Sequence, residues 1–136
     1  MRAQILKNIF TSFQAPVART IISAGVLLAT GIATQAGAAT LTVGAGKTYA
    51  TPCRAFAAAN AGDVVEINAA TYAGDVCAIS DSNLTIRGVN GRPKIDAAGK
   101  NYGGKGTWVI TGSNVVVENV EMMGATVADR NGAAIR

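Results

Sequence analysis

The sequence predicts an all-β solenoid, a stack of parallel coils closed at its N-terminal end by one short α-helix. Three observations carry this prediction. First, the chain repeats itself: C-A-I-S-D-S-N-L-T-I-R-G-V (77–89) aligns without a gap on W-V-I-T-G-S-N-V-V-V-E-N-V (108–120), 31 residues further on. Ile79/Ile110, Ser82/Ser113, Asn83/Asn114 and Val89/Val120 are identical, and Leu84/Val115 and Ile86/Val117 keep their chemistry. Second, everything after Gly62 is short apolar pieces bounded by Gly, Asn, Asp or Ser, the pattern of strands and turns. Third, no helix-period segment separates those pieces, which excludes a doubly wound α/β sheet. A hairpin sandwich has no reason to repeat one thirteen-residue pattern in register, whereas a solenoid does.

Residues 1–38 read as an export signal. Residues 1–20 carry Arg2, Lys7 and Arg19 and no acid, an apolar run follows at 21–32, and small residues stand at Ala36 and Ala38. That order places cleavage after Ala38. The run is short for a membrane span and rich in Ala, Gly and Thr. A retained anchor is the alternative, which the long polar leader keeps open. The segment holds three of the twelve basic residues and none of the eight acidic ones, so its removal takes the net charge from +4 to +1. About 98 residues remain, enough for one modest domain. Lys47, Arg54, Arg87, Arg92, Lys94, Lys100, Lys105 and Arg130 are scattered along them and read as solvated surface. No basic patch marks a nucleic-acid partner.

Residues 39–62 read as an N-terminal strand and capping helix. T-L-T-V (40–43) is strand-like and leads into a glycine turn. G-A-G-K-T (44–48) is not a phosphate loop, because that motif needs a glycine where Leu41 stands and a helix directly after the lysine. T-P-C-R-A-F-A-A-A-N-A-G (51–62) is helical: Thr51 suits the N-cap, Pro52 the first turn and Gly62 a left-handed stop. Apolar residues cover much of its circumference, so it should lie on a hydrophobic surface.

Residues 63–136 read as the first coils of the solenoid. Leu84 and Ile86 should stack on Val115 and Val117 inside, at the ~4.8 Å spacing of neighbouring strands. Outside, Arg87 falls beside Glu118, an opposite-charge pair worth about 0.2–1 kcal/mol. G-A-A-I-R (132–136) fits T-W-V-I-T (107–111) with Ile135 in the phase of Ile110, and N-Y-G-G-K-G (101–106) is expected to protrude as an insertion. No further Ser-Asn-apolar segment follows, so the stack reads as truncated; if this chain were the whole protein, its uncapped end would be prone to edge-to-edge association. Cys53 and Cys77, an even pair in an exported protein, should form one disulfide. Closing that loop is worth about 3 kcal/mol. Two thiols and no histidine cannot make an ordinary zinc site.

G-K-T-Y-A-T-P-C-R-A-F-A-A-A (46–59), G-D-V-V-E-I-N-A-A-T-Y (62–72), N-L-T-I-R-G-V-N-G-R-P-K-I-D (83–96) and G-S-N-V-V-V-E-N-V-E (112–121) resemble, in order, the cap and first coils of the pectate/pectin lyase-like superfamily. The resemblance covers residues 41–136 and implies a right-handed parallel β-helix. That group includes lyases, hydrolases, epimerases and adhesins, so fold alone does not assign activity. Its lyases hold Ca²⁺ with acidic residues and use Arg or Lys as base; its hydrolases pair carboxylates as acid and base. Neither set maps onto Asp63, Glu66, Asp75, Asp81, Asp96, Glu118, Glu121 and Asp129, so catalytic residues stay unassigned and Ca²⁺ enters through the resemblance alone.

Asp63 and Asp75 read as turn residues. Glu121, Asp129 and Arg130 are candidates for the edge of a carbohydrate groove. D-R-N-G (129–132) lacks the later ligands of a calcium loop and reads as a turn. N-L-T (83–85) is formally a glycosylation sequon, but Asn114 echoes its Asn without the Thr, which points to a structural role. A serine triad is excluded by the lack of histidine. The functional expectation is a secreted or periplasmic lyase-like protein acting on or binding an acidic polysaccharide, with its working residues beyond Arg136 and no stable membrane span once the signal is removed. The alternative is a non-catalytic surface or periplasmic solenoid used for adhesion or structure.

Overall fold

Strands of three to five residues, ended by Asn and Gly, wind the chain into stacked triangular coils. The computed structural model describes residues 37–136, so the export signal and its alternative as an anchor lie, but for their last two residues, outside the described residues. Among the described residues no helix is long and apolar enough to cross a membrane. In chain order the elements are β1 (Thr40–Val43), α1 (Pro52–Phe56), β2 (Val64–Asn68), β3 (Thr71–Ala73), β4 (Cys77–Ile79), β5 (Thr85–Val89), β6 (Lys94–Asp96), β7 (Gly106–Ile110), β8 (Val116–Glu118), β9 (Glu121–Met123) and β10 (Ala133–Ile135). They form three sheets, β1-β2-β5-β8, β3-β6-β9 and β4-β7-β10, and every strand pairing in them is parallel. The chain is therefore an all-β parallel solenoid: three complete coils, with β1 stacked on the first of them.

Strand alternation sends one side chain in two inward, and parallel register lines those residues up in columns. Leu41, Val65, Ile86 and Val117 make one column; Tyr72, Ile95 and Met122 a second; Ile79 and Ile110 a third. The stacking expected from the 31-residue repeat, Ile86 on Val117 and Ile79 on Ile110, is thus present. These columns, together with Val43, Ala55, Phe56, Ile67, Leu84 and Trp108, make up the core.

The repeated Ser-Asn has a physical cause. Asn83 (φ 60°) and Asn114 (φ 55°) both take the left-handed conformation that turns one sheet into the next, and Asn tolerates it better than most residues. Asn114 Nδ2 donates to Asn83 Oδ1 at 2.9 Å, so the amides form a rung between coils. Ser113 N–H donates to Ser82 Oγ at 3.0 Å beside it. Asn83 is thereby a structural corner residue, as expected. The following corner uses the same device, with Asn90 (φ 58°) donating to Asn68 Oδ1 at 2.6 Å and Asn119 (φ 53°) to Gly88 O at 2.9 Å.

Four expectations need correction. Arg87 does lie in register with Glu118, but its ion pair is with Glu66 on its other side, Nη2 to Oε1 at 2.7 Å. The exposed column runs Thr42, Glu66, Arg87, Glu118, so one guanidinium has carboxylates on both flanks and its forked donors engage one. Ile135 pairs with Trp108 and not Ile110, a spacing of 27 residues. Ala133 sits on Gly106, where a side chain would strike Ala133 O, and Arg136 N–H donates to Trp108 O at 3.0 Å. A shift of two residues keeps the same face inward, so the phase was right and the rung wrong.

Residues 101–106 are likewise not a lone insertion, since Gly106 already belongs to β7. Two nine-residue connections, 97–105 and 124–132, stack on one another through Gly99 N–H to Gly124 O at 2.9 Å and Asn101 Nδ2 to Thr126 O at 2.7 Å. Helix α1 is also shorter than expected. Thr51 makes no side-chain cap, and after Phe56 the bonds tighten to Ala58 N–H→Ala55 O and Ala59 N–H→Phe56 O, a 3₁₀-type ending. Pro52, Ala55 and Phe56 are its buried face, laid over β1, β2 and β4.

The expected disulfide is present, with Cys53 and Cys77 Cα atoms 5.9 Å apart, and it fastens α1 to β4. Asp63 is a second fastening. It is 4% exposed, and its carboxylate accepts the Ala39 N–H and the Asn60 N–H, each at 2.8 Å. Those two backbone donors, Ala39 first, hold its pKa below the ordinary 3.8 against the opposing effect of burial. A depressed carboxyl contributes stability that is complete above the unfolded value and lost as pH falls through the folded one. Asp63→Asn is therefore expected to lower the melting temperature at neutral pH, and the gap from the parent should close as both are acidified from pH 5 to about 2. A gap independent of pH would refute this role.

Candidate functional site

Most carboxylates of the coils are already engaged. Asp75 Oδ2 accepts the Cys53 N–H at 2.9 Å, Asp96 Oδ1 the Ala98 N–H at 2.8 Å, and Asp129 Oδ1 the Asn131 N–H at 3.0 Å. Glu66 is paired with Arg87, and Glu121 faces Lys94 with Oε1 and Nζ 3.8 Å apart. Only Asp81 and Glu118 have no side-chain hydrogen bond or ion pair among the described residues. Among those residues no three of His, Cys, Asp and Glu gather in a way that could hold a metal ion. A carboxylate that terminates a turn or neutralises a cation is held in orientation by that contact.

The three groove candidates occupy two places. Glu121 stands half-buried on β9. Asp129 and Arg130 belong to the turn that follows, where Arg130 (φ 60°) donates its N–H to Val127 O at 3.0 Å. Among the described residues no hydrogen bond or ion pair joins Glu121 to either of them. Asp129 serves its own turn, as the sequence suggested for D-R-N-G.

A cleft of about 530 Å³ opens at the other end of the stack, lined by Lys47, Thr48, Tyr49, Ala50, Arg54 and Ala57. Its wall is the G-A-G-K-T-Y segment folded beside α1. Gly44 (φ 144°) and Gly46 (φ 70°) allow the reversal, and the first lies against the Asn68 side chain, where a methyl would come within 3.0 Å of Nδ2. Three backbone bonds close the loop: Gly44 N–H to Tyr49 O at 2.9 Å, Lys47 N–H to Gly44 O at 3.1 Å and Tyr49 N–H to Thr42 O at 3.0 Å. Tyr49 packs against the core while lining the cleft. Arg54 projects from α1 one residue after the disulfide.

Lys47 and Arg54 are both exposed, and neither makes an ion pair among the described residues. Both are solvated surface charges, as the sequence suggests, and both line the cleft. Seven positions apart, on a loop and a helix, they carry no motif that announces a shared cleft.

Fold and site together define a disulfide-fastened parallel β-solenoid with a cationic cleft at its helix-capped end. Comparison with family models, curated proteins and solved structures finds no match to the chain.

Proposed function

We propose that this chain is an extracytoplasmic β-solenoid of the pectate/pectin lyase-like kind, wound right-handed, which binds an acidic polysaccharide and leaves it uncleaved. The observation that carries this reading is the columnar order of its polar faces. Thr42, Glu66, Arg87 and Glu118 form one exposed column, and Thr71, Lys94 and Glu121 another. Successive polar rungs at ~4.8 Å suit an extended polymer better than a compact metabolite; the columns themselves carry three carboxylates to two paired cations, so the charge that favours an acidic polymer comes from Lys47 and Arg54 at the cleft. The engaged carboxylates support binding over acid–base cleavage. The disulfide favours an oxidising compartment, where such bonds persist. Ca²⁺, which the resemblance implies for the lyases, has no ligand set among the described residues and carries no step here.

The test is incubation of the chain with pectate or alginate in the presence of Ca²⁺. Retention of the polymer in affinity electrophoresis, without ultraviolet-absorbing unsaturated uronates, is the expected result. Unsaturated product would overturn the non-cleaving role, and loss of all retention would overturn polysaccharide binding. The rival reading, a solenoid for adhesion or structure, draws on the exposed apolar side chains of the third coil, Val116, Met123 and Ile135. Concentration-dependent self-association with no polymer retention would favour it.

A further inference from the structure

We infer that the cleft beside α1 is a binding site for a uronate residue, with Arg54 and Lys47 gripping the sugar carboxylate and Tyr49 supporting the ring. This rests on the acidic-polysaccharide reading and adds to it a place and a set of contacts. The volume, about 530 Å³, falls in the range of roughly 300–1,000 Å³ usual for small-molecule sites. The lining has two parts with different chemistry. Arg54 offers a planar fork matched to a carboxylate, and Lys47 adds a mobile point charge. Tyr49, Ala50 and Ala57 supply an apolar wall that a pyranose ring can lie on through its C–H face, with the tyrosine hydroxyl free to meet a sugar hydroxyl.

A bare phosphate would use the cations and none of that wall. Three N–H groups of the loop, those of Gly44, Lys47 and Tyr49, are spent on Tyr49 O, Gly44 O and Thr42 O, so they are not offered to a phosphate.

The site is also held still, which binding requires. The loop is closed by those three bonds, and Arg54 follows Cys53, whose sulfur is bonded to Cys77 and whose N–H is held by Asp75. Among the described residues no carboxylate lines the cleft to compete with a ligand for the two cations.

The experiment is calorimetric titration of the full chain with oligogalacturonate. The parent, Lys47→Gln/Arg54→Gln, Arg54→Lys and Arg92→Gln, which removes an exposed cation outside the cleft, are compared, and melting temperatures check that each variant folds. Losing a hydrogen bond to a charged group weakens binding about tenfold. The double variant should bind at least about tenfold more weakly, Arg54→Lys should fall between it and the parent because the fork is lost and the charge kept, and Arg92→Gln should match the parent. Methyl-esterified oligomer should bind poorly, and inorganic phosphate should not compete. Undiminished binding by the double variant, or a loss confined to Arg92→Gln, overturns the site while leaving the polysaccharide reading intact. Equal binding of the esterified oligomer overturns the carboxylate grip, and effective competition by phosphate reduces the cleft to a general anion site. A parent that binds no oligogalacturonate overturns both.

Discussion

Replacing Trp108 by Ala is expected to destabilise the fold by about 3–5 kcal/mol, the cost of removing a large aromatic from a packed core. Trp108 is fully buried on β7, below Cys77 in the column that continues to Ile135, and its ring meets Phe56 edge to face with centroids 5.0 Å apart. It therefore joins the capping helix to the second coil. Such contacts add about 0.5–1.5 kcal/mol beyond area burial. On a domain of this size each kcal/mol moves the melting temperature by roughly 4–8 °C, so the variant should melt well over 10 °C below the parent.

Trp108→Phe gives a sharper comparison. Among the described residues the indole Nε1 has no hydrogen-bond partner, nor has the neighbouring Thr107 Oγ1, although both are buried. Phe removes a donor whose burial costs about 1–3 kcal/mol, which offsets part of the lost packing. Urea titration followed by far-ultraviolet circular dichroism should place it between parent and Ala variant, much nearer the parent. An Ala variant within 1 kcal/mol of the parent would refute the bridging role of the ring.

The second large effect is expected from Cys53→Ser/Cys77→Ser. The bond spans 24 residues, and releasing that loop in the unfolded chain removes about 3 kcal/mol. The structure also says where the damage begins. Helix α1 is brief and has no side-chain cap, and it stays in place through the disulfide, the Asp75 contact to Cys53 and the burial of Pro52, Ala55 and Phe56. Without the bond, amide exchange should rise first in α1, β1 and β2 and last in β8 and β9. Uniform acceleration along the chain would contradict this. Because Cys77 and Trp108 are register partners, the double serine change and Trp108→Ala should not be additive.

The repeat made the fold legible because stacking demands like on like. Ser82, Asn83, Leu84 and Ile86 recur as Ser113, Asn114, Val115 and Val117, since each rung must match the rung above in size and corner geometry. The first coil escaped that reading. Its strand V-V-E-I-N lies only 21 residues before its partner and has no Ser-Asn before it, so Glu66 went unseen as the partner of Arg87. The rung of Ile135 was misjudged because matching isoleucines is a weaker constraint than the side-chain-free seat at Gly106. The cleft was illegible because its cations come to line it through the return of a glycine loop over a helix, and only the backbone records that.

Strand partners in this stack are never more than 31 residues apart, and each coil bonds only to the coils directly above and below. Such a chain behaves as a short one-dimensional lattice, in which order spreads from neighbour to neighbour. Pulled apart along its axis, it should yield rung by rung instead of in a single event. Force spectroscopy would then trace a staircase of small releases, with the disulfide-fastened coil surviving as the last step.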